Sequence, residues 1–191
     1  MWPANGSPTP QAGRQPALET AETPLSYVRV VSTQAWIRAW LVFFIVALVA
    51  SGLTAFPLET ELRLASDVLH GLGFIPDAFT AWIDRVRDAL IATNDDYPFL
   101  AYGTDWLAFA HLVIAVAFIG PLRDPARNIW IIQFGMIACV GIIPLALIAG
   151  TIRGIPLGWQ LIDISFGVFG IIPLLIVYRL IKKLEVAQLP V

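Results

Sequence analysis

The chain has 191 residues, of which 58% are apolar and only 14% charged, with a net charge of −2. Soluble domains carry roughly 25% charged residues, so this composition fits a chain dissolved in lipid. It excludes a nucleic-acid surface, and the length allows one bundle without a separate enzymatic domain.

Taken in order, residues 1–34 open with Pro3, Pro8, Pro10, Pro16 and Pro24 among scattered Gly, Ser and Thr. Such a composition buries too little surface to fold and predicts a disordered tail, with 25–35 as an interfacial lead-in. A basic start followed by an apolar core is missing, so no secretory signal is expected. Four apolar stretches follow, near 36–55, 106–121, 129–149 and 159–178. A run of about 20 such residues crosses a bilayer as a helix. The prediction is therefore an all-α, four-helix transmembrane bundle over residues 35–183, with a tail at 184–191. Its spans are 36–56, 105–121, 129–150 and 159–180, and its only substantial loop is 57–104.

That loop reads as two amphipathic helices. Leu58, Leu62, Ala65, Leu69 and Leu72 form one stripe, closed by Gly71 and Gly73. After Pro76, the residues Phe79, Trp82, Ile83, Val86 and Leu90 form a second stripe, and Asn94 to Pro98 is a turn-rich link. The loop holds eight acids and three arginines, a net −5. This charge disfavours adhesion to anionic headgroups and favours a lid on the bundle or a face for a protein partner. Trp36, Trp40, Trp106, Trp130 and Trp159 fall at span ends, as an interfacial belt does. Gly135 and Gly141 in the third span, and Gly167 and Gly170 in the fourth, are small enough for close helix contact.

Lys and Arg set orientation. With the N-terminus cytoplasmic, eight cations lie inside and four outside. Both termini are then expected in the cytoplasm of a multi-pass inner-membrane protein.

Ionisable groups inside a membrane are costly and usually face the bundle interior. His111 lies six residues past Asp105, and Asp163 four past Trp159. At 1.5 Å per residue these are depths of roughly 9 and 6 Å from the same edge. Asp163 and His111 are therefore expected to meet, with Asp105, Arg153 and Gln160 on the rim above them. Arg153 can bind either carboxylate with two hydrogen bonds, while Asp105 also suits a helix start. Gln133 is a further buried polar candidate, Cys139 a small core residue, and His70 an ordinary surface histidine. No phosphate loop, nucleophile elbow or zinc spacing is present. No metal, cofactor or catalytic residue is assigned.

The stretch Tyr102 to Glu185, with YGTDWLAFAHL, GPLRDPARNIW and GIIPLALIAGTIRGIPLGW, resembles small bacterial four-span membrane proteins. The resemblance implies the bundle and brings no activity or site with it. The sequence leads first to a non-enzymatic accessory or binding subunit, with the lipid bilayer and a protein at the outer loop as partners. A small proton-coupled carrier using the Asp/His/Arg cluster is the second reading. Its four short spans would require a homo-oligomer, because repeat-built carriers use paired halves. A haem- or quinone-linked redox protein is the third, with His70 and His111 as the haem ligands.

Overall fold

The structure, a computed structural model, describes residues 24–187, with side chains from 32 to 186. The tail expected at residues 1–23 and the final residues 188–191 lie outside the described residues. Among the described residues every regular element is helical. They run α1 (Pro24–Ala55), α2 (Leu58–Leu72), α3 (Asp77–Asp96), a 3-10 turn (Pro98–Leu100), α4 (Ala101–Ala117), α5 (Ile119–Arg123), α6 (Ile129–Ile152) and α7 (Leu157–Ala187). Four stretches are long and apolar enough to cross a membrane: Ser32–Ala55, Pro98–Arg123, Ile129–Ile152 and Leu157–Val186. The chain is an all-α four-helix bundle with two further helices in the loop between its first and second spans.

Several boundaries move from the sequence expectation. α1 runs back to Pro24, so most of the residues expected as a lead-in are helical and continuous with the first span, since no Pro or Gly interrupts residues 25–51. The second span starts at Pro98, whose fixed φ suits the first turn of a helix. Asp105 is consequently inside α4 and does not cap it; Leu100 holds that position without a side-chain bond. α3 continues through Asn94 to Asp96, and α7 continues past residue 183 into the expected tail.

In the bundle, α4 packs on α1, α1 on α7, and α7 on α6, while α5 bridges α1, α4 and α6 at the end where α1 begins and α7 stops. The buried core lies in that same half. Ile37, Leu41 and Phe44 of α1 meet Phe118, Ile131, Ile132 and Cys139, and Leu174, Val177 and Ile181 of α7. Phe44 and Phe118 stack at 4.8 Å between ring centroids.

Small residues allow the close crossings. A Cβ on Gly167 would run into the Cys139 carbonyl, so α7 meets the backbone of α6 there. A Cβ on Gly135 would fall 2.8 Å from both Leu174 and Phe118. Gly170 lies against Cys139 Sγ, while Gly141 faces open space, contrary to its expected role. Gly52 provides the α1–α4 crossing, where a Cβ would lie 2.9 Å from the Ala108 carbonyl oxygen.

The link from α6 to α7 is a complete Schellman motif. Gly154 takes φ +68°, its N–H donates to Thr151 O at 3.2 Å, and the Ile155 N–H donates to Gly150 O at 2.9 Å. The tryptophans sit at both ends of the spans. Trp36 and Trp130 are exposed at the terminal end and Trp106 at the loop end, where an interfacial belt would lie.

Candidate functional site

Among the described residues, the side chains expected to cluster at the loop end make no hydrogen bond or ion pair with one another. Gln160 is 4% exposed. Its Nε2 donates to the Ile155 carbonyl at 2.8 Å, and its stem fills the space that Gly150 leaves open. Gln160 therefore clamps the α6–α7 link, as a buried amide needs a partner to offset its desolvation.

His111 is half-buried on α4, where its Cβ packs by Gly52 of α1. Its Nδ1 bonds the Leu107 carbonyl one turn back, at 2.8 Å. A carbonyl only accepts, so Nδ1 carries the proton and, in the neutral ring, Nε2 is left as an acceptor. Asp163 is half-buried on α7, on the stripe that runs from Gln160 to Gly167 and packs against α6. Among the described residues no hydrogen bond or ion pair joins Asp163 to His111 or to Arg153.

Arg153 is exposed and caps the end of α6 through its backbone N–H, which donates to Ala149 O at 2.9 Å. Asp105 lines a cleft of about 90 Å³ with Glu59, Asn94 and Thr104. Gln133 is exposed rather than buried. The similar depth counted from Asp105 and Trp159 does not carry over to the observed spans, which start at Pro98 and Leu157.

A denser polar network lies in the α2–α3 hairpin, and sequence reading missed it. Ser66 is 2% exposed. Its hydroxyl donates to Asp84 Oδ1 at 2.6 Å and accepts from Arg87 Nη1. Arg87 also reaches Asp84 at 3.0 Å and Asp88 at 2.8 Å. His70 lies in this network: Nδ1 bonds the Ser66 carbonyl at 2.8 Å and Nε2 faces Asp84 Oδ2 at 3.3 Å. Only the imidazolium donates through both nitrogens, so the doubly protonated ring satisfies both contacts. The Asp88 carboxylate holds the Arg87 guanidinium above its ordinary pKa. At the other end of the hairpin, Glu59 accepts from Asn94 Nδ2 at 2.8 Å and from Arg63 at 2.8 Å. The Asn94 bond and then the Arg63 bond hold the Glu59 carboxyl below the usual glutamate range.

Packing on the hairpin follows its stripes closely. Ile83 is buried, and Phe79, Trp82, Val86 and Leu90 are half-buried beside it. On α2, Leu58, Leu62, Ala65 and Leu69 turn inward, whereas Leu72 is exposed with Leu64 and Val68. Phe79 stacks on Trp159 at 5.4 Å, which ties the start of α3 to the start of α7, while the end of α3 leads into the turn before α4. With 20 residues, α3 is roughly 30 Å long, and it crosses the loop end of the bundle between these two helices. Comparison of the chain with protein-family models, with curated proteins and with solved structures gives no match.

Proposed function

We propose that this multi-pass membrane protein is a non-catalytic accessory or binding subunit of the inner membrane. Its termini lie in the cytoplasm, and its α2–α3 hairpin is the external docking face for a protein partner. One observation carries the reading. The hairpin is fixed by a buried serine bonded to Asp84 and Arg87, and it keeps most of its carboxylates exposed. A surface ordered in this way loses little entropy on binding. The charge asymmetry supports the orientation. Among the described side chains, the terminal end carries six cations against the two acids Asp124 and Glu185, as expected of a cytoplasmic side.

Purification in mild detergent tests the partner. A stoichiometric protein should copurify, and D67K with D96K, which reverses two exposed acids, should release it. A wild-type chain recovered alone would overturn the reading. Cysteine labelling tests the side. Cys139 is buried, so a cysteine placed at Asp96 gives a clean signal. It should react with an impermeant maleimide on intact cells, and protection there would reverse the topology.

A second reading, a proton-coupled carrier, draws on Asp163. This carboxylate lies within a span and has no ion pair among the described residues, a placement often tied to proton movement. Asp163→Asn and His111→Ala should then abolish proton flux in liposomes without altering the fold. Full flux in both variants would remove this reading.

A further inference from the structure

A cavity of about 260 Å³ opens where the start of α1, the α5–α6 link and the end of α7 meet. Gln34, Arg38, Arg123, Asp124, Ile181 and Glu185 are among its walls. Each of its acids bonds a group other than these arginines. Glu185 holds Lys182 at 2.8 Å, and Asp124 Oδ1 accepts the Arg127 backbone N–H at 3.1 Å. Neither Arg38 nor Arg123 is ion-paired among the described residues. Arg38 and Arg123 therefore line one cavity with no carboxylate ion-paired to either, so their guanidinium donors are open to an anionic ligand.

The position identifies the anion. Arg38 lies six residues into the first span, and Arg123 is the last residue of the second. Both therefore lie toward the same ends of their spans, where a bilayer would present its headgroups. One helical turn deeper on the same faces come Val42 and Ile119, both exposed and apolar. The guanidinium fork matches phosphate oxygens in paired hydrogen bonds, and basic pockets between spanning helices suit anionic headgroups. We propose that this cavity binds the phosphate of an anionic phospholipid, with Arg38 and Arg123 as its ligands and the acyl chains along Val42 and Ile119. The site does not depend on which protein the hairpin engages.

The test uses the full chain, delipidated in neutral detergent. Phosphatidylglycerol, phosphatidylcholine and inorganic phosphate are titrated separately while melting temperature is recorded, and native mass spectrometry counts retained lipid. Phosphatidylglycerol should raise the melting temperature and remain bound. R38Q and R123Q should each weaken its apparent affinity about fivefold. The exposed Arg153 at the opposite end serves as control, and R153Q should bind as wild type does. Both target arginines are exposed, so the variants should melt normally without lipid. Three results would overturn the proposal: undiminished retention in the R38Q/R123Q double variant, equal stabilisation by phosphatidylcholine, or equal stabilisation by inorganic phosphate, which would indicate a free-anion site. If R38Q or R123Q melts lower even without lipid, R38K and R123K replace it. They keep the charge but lose the fork, so retention as in wild type would also overturn the assignment.

Discussion

Replacing Gly167 with alanine should separate the two most extensively packed helices. The added Cβ meets the Cys139 carbonyl, a backbone atom that no rotamer change can move, and lies 3.3 Å from Ile142 Cβ. Restoring ordinary contact requires α6 and α7 to part by on the order of 1 Å, a gap that already forfeits a quarter to a half of each dispersion contact along the seam. Such overpacking costs about 1–3 kcal/mol. Alanine recovers about 0.5–1 kcal/mol over glycine within a helix. The net expectation for Gly167→Ala is a loss of about 0.5–2 kcal/mol. Gly141→Ala on α6 is the matched control, because nothing lies within 4 Å of its new Cβ. It should be neutral or stabilising by up to about 1 kcal/mol. Reversible unfolding in mixed micelles, followed by circular dichroism, gives both values. If Gly167→Ala is as stable as Gly141→Ala, the close crossing of α6 and α7 is refuted.

Gln160→Ala should cost about 1–3 kcal/mol in the same assay, because it strips the Ile155 carbonyl of its buried donor. Ser66→Ala should loosen the hairpin by about 1–3 kcal/mol, seen as faster amide exchange over 58–96 while the spans stay protected. Glu59 should make the hairpin acid-sensitive. Its folded pKa is depressed, so its stabilising contribution is present above the ordinary glutamate value, about 4.3, and is lost as pH falls through the lower folded value. Amide exchange in α2 and α3, corrected for intrinsic rates, should accelerate on acidification below that value. Glu59→Gln should remove the acceleration; an unchanged profile would exclude Glu59 as its source.

The four spans were legible because lipid tolerates almost no charge, and this constraint acts on each segment independently. The two loop helices were legible for a related reason. Ile83 and its neighbours recur at helical spacing, and any helix that buries one side must show that period. Boundaries were less so. Polarity marks where the apolar span begins, whereas the helix itself continues back to Pro24 because no breaker interrupts it.

Composition and periodicity alone determined the number of spans, the acidic character of the hairpin and the basic character of the end where α1 begins and α7 stops. Each of these depends on one segment and its solvent. The tertiary structure decided which groups meet. Ser66 reaches Asp84 and Arg87 across 18 and 21 residues, and Gly52 becomes the α1–α4 crossing while Gly141 faces open space. His111 bonds its own helix backbone, and among the described residues no hydrogen bond or ion pair joins it to Asp163. Such pairings depend on the rotation of each helix about its axis. Side-chain packing across the whole bundle sets that rotation, and no local pattern encodes it.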